Sequence, residues 1–278
     1  MYRSGGAGLP GGGQARSGEP GGEPVLVERV GAAAVVTLNR PRRRNALDAS
    51  TKTALRAALD GAAADAGVRA VLLTGAGDAF CVGQDLAEHA RALRADPAHA
   101  FDTVERDYAP IVRLLATMDK PVVAAVNGTC VGAGLALALA CDLRIFAANA
   151  TLATAFSAIG LTCDSGLSAT LAAAIGTSRA RELVLRGTPF TPADALAWGV
   201  SGTVVTGPDV AETARALVTE LATGPTAAYA ATKRLFAGPL EAALTAEAKE
   251  QSALGLTADH RAAVDAFLAK QEPPFVGR

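Results

Sequence analysis

Histidine, cysteine and aromatic residues are scarce in this sequence, and no charge of one sign dominates it. Three histidines and four cysteines occur in 278 residues. Cys81, Cys130, Cys141 and Cys163 form no C-x-x-C pair, and no three of them join nearby histidines at zinc-ligand spacing. Neither a metal site nor a disulfide framework is expected, and isolated thiols fit a reducing compartment, the cytoplasm. Aromatic residues make up 4% of a chain that is 50% hydrophobic, so close packing through alanine and other small side chains is expected. A net charge of −1 gives no electrostatic case for nucleic acid or for an anionic membrane surface. The N-terminus carries no apolar core of a secretory signal.

What is present suits one large α/β domain with a helical appendage. Residues 1–24 are rich in Gly, Pro and Ser and are expected to be disordered. Val25–Arg29 and Ala33–Leu38 read as a hairpin around Gly31, and Asn39–Asn45 as a basic turn. Asp48 or Ser50 can cap a helix running to about Ala64. Val68–Thr74 is a continuous apolar strand, as in a parallel sheet covered on both faces. Gly75–Leu86 (GAGDAFCVGQDL) is a loop. Ala87–Thr117 reads as outer helix with a break near Pro97. Leu143–Ala147 is a strand, Thr154–Ser168 is irregular, and Leu171–Ile175 and Arg179–Leu185 are helical. Thr191-Pro192 opens a helix that Gly199 ends, and Val204-Val205 is a last short strand. From Asp209 to Lys270 the pattern is helical, with breaks near Gly224-Pro225 and Gly238-Pro239. Strands alternating with helices, then helices alone, predict a core over 25–206 and a helical region over 207–278.

One stretch organises the rest. Lys120–Asp142 reads KPVVAAVNGTCVGAGLALALACD. It is a buried strand, a turn with three glycines, and an apolar helix. A helix opened by a glycine loop leaves free N–H groups and the positive end of its dipole for an anionic oxygen. Asn127, the three glycines and the bounding charges argue against a membrane span. A dinucleotide fingerprint fits poorly, because Leu137 stands where its third glycine belongs.

Taken together, several segments resemble the crotonase (enoyl-CoA hydratase/isomerase) superfamily. These are LNRPRRRNALD at Leu38–Asp48, LLTGAGDAFCVGQDL at Leu72–Leu86 and AAVNGTCVGAGLALALACDLRIFA at Ala124–Ala147. GTPFTPADALAWGVSGTVV at Gly187–Val205 and AFLAKQEPPFVG at Ala266–Gly277 complete the set. The resemblance implies a spiral of ββα units with a C-terminal helical region that builds trimers or hexamers. It implies an acyl-coenzyme A thioester as substrate, with coenzyme A part of that substrate and no separate cofactor. The thioester oxygen would be held by the backbone N–H groups of Val82 and Ala133. Gly83, Gly132 and Gly134 would let the backbone approach it, and Gln84, Asp85 and Leu86 continue the first loop. Arg42–Arg44, Phe267 and Lys270 match positions near the coenzyme, although solvated surface charge explains the basic ones equally well.

The acid/base residues decide the reaction. The two glutamates that such hydratases use fall at Ala136 and Phe156 here, and both are missing. Asp164 stands where related dienoyl-CoA and epoxyphenylacetyl-CoA isomerases place an aspartate, and one carboxylate can move a proton between two carbons. Phe156, Ile159 and Leu161 would form an apolar wall beside it. Asp164 can instead cap the helix that starts near Ser168. Three readings follow: an isomerase using Asp164, an atypical hydratase, or a non-catalytic acyl-CoA-binding paralogue. His89, His99 and His260 fall outside the motifs and read as surface residues, while Met118 and Trp198 read as packing.

Overall fold

The computed structural model describes residues 22–236, 238–273 and 275–276. Nearly all of the expected disordered tail, 1–24, lies outside the described residues.

Val25–Val30 (β1) and Ala33–Leu38 (β2) pair antiparallel around Gly31, whose φ of 58° closes the turn. Asp48 caps the first helix, Ala49–Ala64 (α1), by accepting from Thr51 N. Three repeats of one unit follow, each a long strand, a short strand and a helix. The first is Ala70–Gly75 (β3), Ala79–Cys81 (β4) and Leu86–Ala95 (α2). Ala109–Thr117 (α3) leads into the second, which is Val122–Val126 (β5), Thr129–Val131 (β6) and Ala133–Ala140 (α4). The third is Leu143–Ala147 (β7), Leu152–Ala153 (β8) and Leu167–Ile175 (α5). Thr177–Arg186 (α6) and Pro192–Trp198 (α7) then lead to the last strand, Thr203–Val205 (β9).

The long strands form one sheet in the order β1-β2-β3-β5-β7-β9, parallel from β2 onward. The short strands form a second parallel sheet, β4-β6-β8. β5 is buried along its whole length, as an apolar strand flanked on both sides must be. Asp209–Thr223 (α8) lies across β3, β5 and β7. Thr226–Phe236 (α9), Leu240–Gly255 (α10) and Ala258–Ala269 (α11) complete the chain. The fold is therefore the expected ββα core with C-terminal helices.

Several local expectations change. The strand expected from Val68 begins at Ala70. The segment 87–117 is not a simple outer helix. It divides into α2, a π-helical turn at Val104–Tyr108, and α3, and its inner face buries Phe101, Tyr108, Ile111 and Leu115. The small second sheet was not expected, because strands of two or three residues carry no readable alternation. Met118 is buried and Trp198 packs on the core, as expected. Among the described residues no helix is long and apolar enough to cross a membrane.

Candidate active site

Parallel pairing in the small sheet brings three loops to one end. Cys81 pairs with Cys130, and Val131 pairs with Ala153. The chain leaves these strand ends as Val82–Asp85, as Gly132, and as the irregular segment 154–166. Neighbouring strands lie about 4.8 Å apart, so residues just past adjacent ends are neighbours. A Cβ on Gly83 would come within 3.2 Å of Ala133 N and 3.1 Å of the Val131 carbonyl oxygen. A Cβ on Gly134 would run into the Cys81 carbonyl. Gly83 has φ 81°, and Gly132 has φ 58° with ψ −127°, conformations that glycine alone adopts readily. These glycines let the loops touch through their backbones.

Ala133 N is the first amide of α4 and Val82 N follows β4. Neither donates to a backbone acceptor among the described residues. Val82 and Ala133 line a cavity of about 640 Å³ together with Gly83, Gly132, Phe156 and Asp164. Gln84, Asp85 and Leu86 line it as well. Asp85 is otherwise engaged: it caps α2 through Glu88 N and pairs with Arg40 at 3.1 Å. Gly134 does not line the cavity but seats α4 against β4. Among the basic residues expected near the coenzyme, Arg43 and Arg44 line the cavity and Arg42 does not. Phe267 lines it, whereas Lys270 caps the end of α11 in a left-handed conformation and is not part of the lining.

Asp164 is 8% exposed and faces the cavity from the third loop. Ser165 Oγ donates to its Oδ1 at 2.8 Å, and Gln251 Nε2 donates to its Oδ2 at 2.9 Å. Burial pushes its pKa up to about 6, and the nearby Glu247 adds to this. Ser165, Gln251 and the Lys52 charge hold it lower than burial alone would. Its side chain caps no helix. Glu247, reaching from α10, takes that role by accepting from Gly166 N at 2.6 Å and Ser168 N at 2.7 Å. Ala136 is buried within α4, and Phe156 presents a phenyl ring to the cavity. Neither offers a group that could activate water.

Two of the three histidines overturn the surface reading. His89 is 4% exposed and His260 is fully buried, and only His99 lies outside. His89 and His260 meet across α2 and α11, Nε2 to Nε2 at 2.9 Å, with Phe101 edge-on to both rings. Lys52, 3% exposed, was also missed. It shares the inner stripe of α1 with Leu55 and Leu59, and a lone charge on an apolar stripe was the available signal. Gln251 and Glu247 had no such signal, because their partners lie 79 to 89 residues away in sequence.

The profile of the enoyl-CoA hydratase/isomerase family matches residues 28–278. The chain belongs to this family. A Rhodobacter capsulatus protein named "Probable enoyl-CoA hydratase" is 40% identical over 249 residues, covering 88% of this chain and 95% of that protein. The 1,2-epoxyphenylacetyl-CoA isomerase of Escherichia coli is 38% identical over 247 residues, covering 87% and 94%. The crystal structure of an enoyl-CoA hydratase from Mycobacterium avium subsp. paratuberculosis K-10 superposes with a TM-score of 0.81 at 32% identity, covering 91% and 98%. Hydratase and isomerase names thus both occur among the family members similar to this chain.

Proposed function

We propose that this family member moves a carbon–carbon double bond in an acyl-coenzyme A thioester, with Asp164 as the single acid and base. The observation that carries the reading is the Asp164 carboxyl, which makes no ion pair among the described residues and caps no helix, in the cavity that Val82 and Ala133 also line; the other carboxyl there, Asp85, is committed to Arg40 and to the start of α2. Ala136 and Phe156 stand where the family resemblance would place the two hydratase glutamates. In the reaction, the Asp164 carboxylate takes a proton from the carbon next to the thioester. The electron pair delocalises onto the thioester oxygen as an enolate, held by the two amides. The Asp164 carboxylic acid then returns the proton two carbons further on, and the double bond ends conjugated with the carbonyl. Each backbone donor to such an oxyanion contributes about 3–4 kcal/mol to the barrier reduction. A carboxyl with a pKa of about 6 is ionised enough to start the step at neutral pH and acidic enough to finish it. Arg43 and Arg44 at the cavity wall suit the phosphates of coenzyme A.

Threefold assembly in the cytoplasm completes the proposal. Leu235 and Phe236, 83% and 84% exposed on α9, support an assembly interface that covers them.

The test is Asp164→Asn. Isomerisation of a 3-enoyl-coenzyme A panel is expected to fall at least about 10³-fold, while dissociation constants for the thioesters stay within a few-fold. Full activity in the variant would remove Asp164 from the mechanism. Water addition by the wild type without double-bond migration would favour the hydratase reading.

A further inference from the structure

The cavity wall holds two polar groups whose hydrogen-bonding roles are fixed from behind. His260 Nδ1 lies 2.6 Å from the Ile159 carbonyl oxygen. A carbonyl only accepts, so that nitrogen carries the hydrogen. Burial keeps both imidazoles less basic than usual, His89 at about 4, so both are neutral at pH 7. His260 Nε2 is then bare, and in the 2.9 Å contact His89 Nε2 is the donor. His89 Nδ1 is left as a bare acceptor, with no protein donor among the described residues.

Gln84 is fixed in the opposite sense. Lys52 Nζ at 3.3 Å and the Tyr108 hydroxyl both donate to its Oε1. An ammonium cannot accept, which settles the amide orientation. Nε2 therefore turns away with two hydrogens and no protein acceptor among the described residues. Lys52 is itself held in place, donating to Thr103 Oγ1 at 2.6 Å.

Neither group is sealed off. Among the described residues, the enclosed side-chain N and O atoms without partners are Asn127 Oδ1 and Gln251 Oε1. Gln84 and His89 both line the main cavity, as do Phe101, Thr103, Val104, Tyr108 and Leu161. Gln84 and His89, with Thr103, also bound a second cleft of about 110 Å³.

We propose that Gln84 and His89 form a subsite for a hydroxyl group on the acyl moiety, beyond the reacting carbons. The hydroxyl oxygen accepts from Gln84 Nε2 and its hydrogen goes to His89 Nδ1. The inference rests on the acyl-thioester reading above and narrows it to acyl groups that carry a distal hydroxyl. A plain hydrocarbon chain would strip water from both groups and return nothing, which is the situation in which a polar site discriminates most strongly.

The test uses binding, so it does not depend on turnover. Calorimetric titration of the full chain compares unsubstituted hexanoyl-coenzyme A with saturated six-carbon thioesters hydroxylated at successive distal carbons. One isomer is expected to bind about 10-fold or more tighter than the unsubstituted thioester. In Gln84→Glu, which keeps an acceptor for Lys52 but removes the donor, and in His89→Phe, that ratio is expected to fall to near one. A wild type that favours no hydroxylated isomer overturns the subsite, as does a preference that survives both substitutions. Failure to bind any of the thioesters overturns the acyl-thioester reading and the subsite with it, whereas tight binding without isomerisation counts only against the proposed reaction.

Discussion

Asp164 is held by two unlike donors. Ser165 Oγ can rotate and accept as readily as it donates, whereas the Gln251 amide donates both to Asp164 Oδ2 and to the Thr162 carbonyl at 2.9 Å. That commitment leaves Gln251 Oε1 enclosed without a partner, at a cost of about 1–3 kcal/mol. It also favours the carboxylate over the acid, so removing the donor must raise the carboxyl pKa. The other charged or ionisable groups acting on this carboxyl, Glu247, Lys52, Tyr108 and Cys163, are unchanged by the substitution. In the wild type, kcat/KM for isomerisation is expected to fall on the acid side with a midpoint near pH 6. In Gln251→Met, similar in size but unable to donate, the midpoint is expected to move to higher pH. A pH–rate profile reads both values, and an unmoved acid limb would show that Gln251 does not act on the base.

The pairing of β4 with β6 sets the distance between the two candidate oxyanion donors, and Gly134 is where the pairing meets α4. Its backbone is not left-handed, so alanine there is excluded by space alone: the added carbon meets the Cys81 carbonyl, which cannot move without shifting β4. Gly134→Ala is expected to destabilise the fold by about 1–3 kcal/mol and to lower kcat by about 10²-fold with a smaller change in KM. Thermal unfolding alongside steady-state kinetics separates the two effects, and unchanged kcat would mean that α4 does not position an oxyanion donor. This element was legible in the sequence, because a strand, a glycine turn and an apolar helix announce themselves within some twenty neighbouring residues. Asp164 was legible as a candidate, but its competing role as a helix cap was settled only by Glu247 reaching over from α10. The His89–His260 contact could not be read at all, since it joins helices 171 residues apart and each histidine taken alone resembles a surface residue.

The C-terminal helices hold the third loop from outside. α10 supplies Glu247 to the Ser165–Gly166 turn, where both residues have positive φ, and Gln251 to the carboxyl, while α11 supplies His260 to the Ile159 carbonyl. Stability of the whole chain should therefore respond to the ionisation of these few buried groups, and the signs oppose one another. His89 and His260 have pKa values lowered by burial, so unfolding takes up protons below about pH 6.5 and acid destabilises the fold, through His89 down to about pH 4. Asp164 is raised to about 6, so the folded state binds the extra proton between about pH 4 and 6 and acid stabilises it there. Glu247, also raised by burial, acts in the same direction as Asp164. Asp164→Asn removes one opposing contribution and leaves the histidines in place. The fall in Tm between pH 7 and pH 4.5 is expected to be steeper in Asp164→Asn than in the wild type, by about 1–3 kcal/mol when converted to stability. Scanning calorimetry across that range reads the difference. Parallel curves would mean that Asp164 has the same proton affinity in the folded and unfolded chains, and that its burial beside the cavity does not raise its pKa.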